Sequence, residues 1–235
     1  MSILTSLGVI LLASFIGAFL QFPSGVFLLL RHYASAKLSK KKTRSLSGAF
    51  SFGAATGALL FFILAFLLIR WTISVSLLEN PVFEWCIAGV MILYGVLSWF
   101  FYYRANSEGT ELYILRNTAS ALCIAAKKTK DWPNAFMLGM TSTICEIPFS
   151  LPLFCIVALE LNNYSTDFVM QISCILVFLC AMMLPILTSR FQFFNDGNLA
   201  TIQRKRVKAK SFVRVILSLG FFLIATIIIC FRILK

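Results

Sequence analysis

The residue with the clearest chemical potential is Glu146, in the stretch "GMTSTICEIPFSLPLF". It is the only acid well inside a long apolar segment. A carboxylate in hydrocarbon costs about 3 kcal/mol or more to insert, and such groups mark ion, proton or substrate paths. Every Lys and Arg falls near the end of an apolar segment, so no base stands ready to pair with it. Burial without a cation favours the neutral, protonated acid. A proton-coupled carrier uses such a proton, releasing it when a cation or water arrives. Thr141, Ser142, Thr143 and Cys145 come just before Glu146 and add hydroxyl and thiol ligands. The structural reading of the same residues is a protonated Glu146 hydrogen-bonded to Gln21.

Gln21 enters because "QFPSGVF", residues 21–27, matches the Glu146 window. Gln21-Phe22-Pro23 aligns with Glu146-Ile147-Pro148 without a gap, 125 residues earlier. Proline inside a helix removes a backbone donor and clashes with the preceding turn. In lipid the freed carbonyls need protein or a water-filled cavity. Pro23 with Gly25, and Pro148 with Pro152, are therefore expected to break two helices near mid-membrane. Half-helix ends expose carbonyls and amides that bind ions or polar solutes. Ser24 adds a hydroxyl at the first break. A packing kink is the plainer alternative.

These windows sit in a chain of 235 residues that is 60% hydrophobic and 13% charged, unlike an ordinary soluble domain. Six runs are long enough to cross a bilayer as helices: Ile3–Leu30, Leu46–Ile69, Val82–Tyr102, Ala135–Leu159, Phe168–Leu187 and Phe212–Phe231. The first has no basic n-region and is too long for a signal-peptide core. The expected fold is an all-α membrane protein of six transmembrane helices. Three precede the loop Tyr103–Pro133 and three follow it, so the second half enters from the opposite side. Two similar halves then form inverted three-helix repeats. The expected division is residues 1–104, a linker 105–133 and residues 134–235.

The net charge of +12 is distributed by side. Arg31, Lys37, Lys40, Lys41, Lys42 and Arg44 lie between segments one and two. Arg104, Arg116, Lys127, Lys128 and Lys130 lie between three and four. Arg190, Arg204, Lys205, Arg206, Lys208 and Lys210 lie between five and six. The other two loops hold Glu79, Glu160 and Asp167 and no base. Alternate basic loops follow the positive-inside rule and argue against nucleic acid as partner. They place the basic loops in the cytoplasm, against anionic lipid head groups, and both termini outside a cell (inner or plasma) membrane. Arg70, Arg232 and Lys235 break the rule at segment ends, from which long side chains snorkel. Trp71, Trp85, Trp99 and Trp132 fall at interfacial depths. Asn163-Tyr164-Ser165 is a lone glycosylation sequon in a predicted outer loop.

Two segments carry packing signals. Gly53 and Gly57 form a GxxxG, beside Gly48, Ala49 and Ala54, which predicts close approach of another helix. Leu112, Leu115, Ala119, Leu122 and Ala126, spaced 3, 4, 3 and 4, draw an apolar stripe on a helix in the connecting loop. That helix lies in the membrane interface or packs on the other loops.

Enzymatic chemistry finds little support. The seven cysteines form no CxxC pair, and one histidine with scattered acids gives no metal-ligand cluster. There is no Gly-rich phosphate loop and no nucleophile triad. No cofactor, metal site or enzymatic activity is expected.

"GMTSTICEIPFSLPLF" resembles the fourth-helix signature of CcdA/DsbD-like membrane proteins, and "LQFPSGVFLLL" resembles their first-helix motif. That family belongs with LysE-type exporters in a group of six-helix proteins built from two inverted three-helix repeats. The resemblance implies that scaffold, with a polar centre where the repeats meet. In CcdA-like proteins a cysteine follows each proline, and the pair passes electrons from cytoplasmic thioredoxin. Here those positions are Ser24 and Phe149, which cannot form a disulfide. Cys145 lies one turn before Phe149, and Cys174 and Cys180 are its alternative partners. Three readings follow. The first is a proton-coupled transporter moving a small cationic or zwitterionic solute by alternating access. The second is a CcdA-like thiol–disulfide protein with relocated cysteines and thioredoxin as partner. The third is a non-catalytic membrane scaffold acting through its basic loops. For the first, Glu146, Gln21, Ser24, Thr141, Thr143 and Cys145 line the path.

Overall fold

A computed structural model describes residues 3–20, 22–72, 81–101, 105–106, 109–110, 116–163, 168–196 and 199–233. Apolar runs rich in Leu, Ile, Phe and Ala fold as helices because a helix satisfies every backbone polar group within its own segment. In chain order they are α1 (Ile3–Gly17), α2 (Phe22–Lys37), α3 (Lys40–Thr72), α4 (Pro81–Phe101), α5 (Arg116–Lys128), α6 (Trp132–Asn163), α7 (Phe168–Asp196) and α8 (Leu199–Ile228). A π-helical turn, Ile229–Ile233, extends α8. Two short strands, β1 (Ala105–Asn106) and β2 (Gly109–Thr110), pair antiparallel with Ala105 opposite Thr110. The protein is otherwise all-helical among the described residues.

Five helices are long and apolar enough to cross a membrane: α3, α4, α6, α7 and α8. Leu59, Leu60, Ile63, Leu64, Leu67 and Leu68 of α3 are exposed. A contiguous apolar surface of this kind marks contact with an apolar environment. Trp71, Trp85, Trp99 and Trp132 are exposed too.

The first apolar segment is two helices. α1 ends in tightened turns, with Phe19 N donating to Ile16 O at 2.9 Å and Leu20 N to Gly17 O at 3.2 Å. α2 starts at Phe22, so Pro23 lies in its first turn. There a missing N–H costs nothing, because first-turn amides have no intrahelical acceptor. The expected break therefore exists, but it precedes Pro23, and Gly25 is inside α2. The expected break at Pro148 does not. α6 stays helical through both Pro148 and Pro152. Each proline removes a single intrahelical bond, and packing along the rest of a long helix holds the flanking turns.

Local signals explain two helix starts. Ser39 caps α3, its Oγ accepting the Lys42 amide at 3.4 Å. Asp131 precedes α6, its carbonyl accepting Ala135 N at 3.1 Å, with Pro133 in the first turn.

Helices of the two halves interleave. The most extensive pairing is α3 with α6, followed by α4 with α8. α1 packs on α6, α7 and α8, and α2 on α3, α5, α6 and α7. The GxxxG serves the first pairing. A methyl on Gly53 would overlap the Phe136 carbonyl, and one on Gly57 would lie 3.3 Å from Met140 Cγ. The expected apolar stripe on the linker is used in α5, where Leu122 and Ala126 are buried in one cluster with Leu30, Ala34 and Leu46. α5 is thus a helix packed on α2. Leu112, Leu115 and the Ala119 side chain lie outside the described part of the structure.

The basic segments gather at one end of the bundle. Arg31 Nη1 donates to Arg190 O at 3.4 Å, and Lys127 Nζ stands 5.4 Å from the Tyr33 ring centre. Arg214 lies 5.1 Å from the Trp99 ring centre, tying α4 to α8.

Candidate functional site

The buried side chains separate into two apolar clusters, and the division runs between α1 and α2 and across α3, α6 and α7. Toward the basic end the cluster takes Val26, Phe27 and Leu30 from α2, Ala54 from α3, Leu138 from α6 and Ile186 from α7. Toward the other end the second cluster takes Ile16 from α1 and Leu20 from the turn after it, Ala58 and Phe62 from α3, Leu153 and Phe154 from α6, and Met182 from α7. Cys145 packs against the first cluster and Phe149 against the second. Glu146 falls between them on α6, level with the α1–α2 break. It is 4% exposed.

α6 supplies the polar groups of this layer by helical phase. Successive residues turn by about 100°, so positions three or four apart share a face. Ser142 (0% exposed), Thr143 and Ser150 accordingly share the buried face with Glu146. Ser150 Oγ donates to the Glu146 carbonyl at 3.2 Å, and Ser142 Oγ to Gly139 O at 2.7 Å. Thr143 Oγ1 lies 3.3 Å from both Ala54 O and Gly139 O, which ties α6 to α3. Across the break, Ser24 is also buried, in the first turn of α2 beside buried Pro23. The first amides of a helix carry partial positive charge and favour an anionic or electron-rich partner. The layer therefore combines a carboxyl, four hydroxyls and the start of a half-helix in an otherwise apolar interior.

Some expected site residues are not brought here. Gln21 lies outside the described residues. Thr141 is on the far side of α6, its hydroxyl donating to Met137 O at 2.8 Å. Pro148 is exposed, whereas Pro152 is buried within continuous helix. Cys145 is half-buried beside the layer. All seven cysteines are free thiols. Cys145 packs with the basic-end cluster and Cys174 with the other, while Cys180 is exposed. No group of three or more His, Cys, Asp or Glu side chains able to hold a metal occurs among the described residues.

One acid was misplaced by sequence. Glu160, assigned above to an outer loop, is inside α6 and 0% exposed. Its Oε2 carries no hydrogen bond, and other interactions hold the residue. The buried Asn162 Nδ2 also carries none. Gln171 Nε2 of α7 donates to Leu161 O at 3.3 Å, closing this end of α6 against α7. The signal for Glu160 was its phase: 14 residues beyond Glu146 is close to four turns.

Compared with family models, with curated proteins and with solved structures, the chain matches none.

Proposed function

We propose that the protein is an integral membrane carrier, proton-coupled, that moves a small cationic or zwitterionic solute by alternating access. The observation that carries this reading is the burial of Glu146 between two apolar clusters, level with the α1–α2 break. A carboxyl at such a place is costly, so its retention argues for use. As an acid it holds a proton. As a carboxylate it holds a cation. The hydroxyls of Ser142, Thr143 and Ser150 lie within about one helical turn of it on α6, and Ser24 lies across the break. Each apolar cluster then acts as a gate, one toward each side of the membrane.

In this reading α1 and α2 together form the sixth crossing. The helix pairings support two inverted repeats. Exchanging α1/α2 with α6, α3 with α7 and α4 with α8 maps the α4–α8 pair onto itself. It maps the α3–α6 pair onto the contacts of α1 and α2 with α7. A repeat interface passing through the Glu146 layer is where carriers of this architecture bind solute. The basic end faces the cytoplasm and anionic lipid, with both chain termini on the other side. The likeness to CcdA-like and LysE-type proteins fits this scaffold. The missing cysteine pair sets the chain on the carrier side.

The test is proteoliposomes of the full-length protein containing a pH-sensitive dye, given a panel of small amines and amino acids. The expected result is solute-dependent proton movement by the parent and its loss in Glu146→Gln. The reading is overturned if no solute moves protons, or if Glu146→Gln matches the parent.

A further inference from the structure

α3 and α6 run parallel. The rings of Phe52 and Phe136 meet near the basic end, 5.8 Å between centres, and those of Phe62 and Phe154 meet further along both helices, at 6.5 Å. Helical phase then fixes what lies nearer the basic end on the same surface. On α3, Gly48 stands one turn before Phe52, and Arg44 one turn before Gly48; all three are exposed. On α6, Trp132 stands one turn before Phe136. Its indole stacks on the Phe136 ring, 5.7 Å between centres and 13° between planes. Lys128 and Lys130 come just before Trp132, and both are exposed.

The parallel register brings Gly48 to the level of Trp132 and Arg44 to the level of Lys130. Gly48 leaves a notch there, since a methyl on it would meet nothing within 4 Å. The rings beside the notch are open as well: Phe52 is 61% exposed and Trp132 49%. The surface is therefore an aromatic slope with a shallow groove at its upper end. Above the groove stand the exposed bases Lys41, Arg44, Lys128 and Lys130, with Asp131 the one acid among them. Tryptophan and basic side chains at this depth sit where lipid head groups meet acyl chains. A soluble anion would meet only the bases. A phospholipid uses both halves of the surface.

We propose that this groove binds a single anionic phospholipid. Its phosphate lies between Arg44 and Lys130, and one acyl chain runs over Gly48 against Phe52, Phe136 and Trp132. The site stands independently of the carrier reading and of which side the basic end faces.

Two measurements on the full-length protein test this. The first is fluorescence in liposomes. Trp71→Phe, Trp85→Phe and Trp99→Phe together leave Trp132 as the sole tryptophan. Brominated phosphatidylglycerol is expected to quench it at lower mole fraction than brominated phosphatidylcholine. Adding Arg44→Gln and Lys130→Gln is expected to reduce that preference by about fivefold or more. Lys37→Gln with Lys208→Gln removes the same charge from exposed positions on α2 and α8, and is expected to keep it. Equal quenching by the two lipids overturns the proposal. So does an equal loss in the Lys37/Lys208 variant, which would make the preference a property of diffuse charge. Shielding of Trp132 from both lipids also overturns it, because protein, such as a second copy of the chain, then covers the groove. The second measurement is native mass spectrometry with every tryptophan in place. One phosphatidylglycerol is expected to stay bound to the parent and to be lost from both Arg44→Gln/Lys130→Gln and Gly48→Leu, which fills the notch. Retention of that lipid by both variants overturns the site.

Discussion

Gly53 of α3 and Gly139 of α6 each press against the other helix's backbone. A methyl on Gly53 would overlap the Phe136 carbonyl oxygen, and one on Gly139 would overlap that of Phe50. The contact is reciprocal and leaves no side chain that could move aside. Gly53→Ala and Gly139→Ala should each therefore push the helices apart, destabilising the protein by about 1–3 kcal/mol. Gly48→Ala and Gly89→Ala meet nothing within 4 Å and should be neutral. Thermal unfolding of the purified protein in one detergent, comparing all four variants, checks this. Equal behaviour of the two pairs would show that the crossing is looser than described.

Thr143 and Thr141 offer a second contrast, since they are two residues apart and nearly opposite in phase. Thr143 Oγ1 reaches Ala54 O across the helix interface, and Thr141 Oγ1 reaches only its own helix at Met137 O. Thr143→Val should cost about 0.6 kcal/mol, the usual size of an interhelical hydrogen bond in a membrane protein. Thr143→Ser should recover most of that. Thr141→Val should change neither stability nor proton movement. A larger transport defect in Thr141→Val than in Thr143→Val would reverse the assignment of faces.

That contrast also shows what the sequence could and could not convey. Hydropathy located α3, α4, α6, α7 and α8, because length and apolar content alone decide whether a helix can span. The Gly53–Gly57 spacing announced a close helix contact without naming the partner, which lies 86 residues away at Gly139. Pro23 marked the right break because it begins a helix there. Pro148 marked a false one, because the local rule does not know which neighbours support the turn. Once α6 is continuous, its phase turns Thr141 away from the buried face that Glu146, Ser150 and Glu160 share. Glu160 was hidden by its company: an acid near Asn162 and Asn163 at the end of an apolar run reads as loop.

The two prolines should respond differently to replacement. Pro148 is exposed in the middle of α6, so Pro148→Ala restores an intrahelical bond without disturbing packing. It should stabilise the protein by about 1 kcal/mol, part of the roughly 3 kcal/mol an interior proline costs a helix. Pro23 is buried in the first turn of α2, where it fixes the chain direction after the α1 turn. Pro23→Ala lets α1 and α2 approach one continuous helix and should slow solute-dependent proton movement. Thermal unfolding and the dye assay on both variants decide the matter. A transport defect in Pro148→Ala with none in Pro23→Ala would move the functional break to α6.

The cysteines separate the carrier from a thiol relay. Cys145 and Cys174 pack in different apolar clusters, on opposite sides of the Glu146 layer. Passing electrons requires a thiolate to attack a partner sulfur through a mixed disulfide. On the carrier reading, half-buried Cys145, Cys155 and Cys174 serve as small apolar fillers. A variant with all seven cysteines replaced by Ser or Ala should keep solute-dependent proton movement within about twofold of the parent, a difference under ~1 kcal/mol. It should lose some stability where Cys155 fills the core. Replacing only the exposed Cys86, Cys180 and Cys230 should cost nothing. Incubation of the parent with a thioredoxin lacking its resolving cysteine, followed by non-reducing electrophoresis, should trap no adduct. A trapped mixed disulfide, together with loss of activity in the cysteine-free variant, would replace the carrier with a redox protein and leave Glu146 a structural acid.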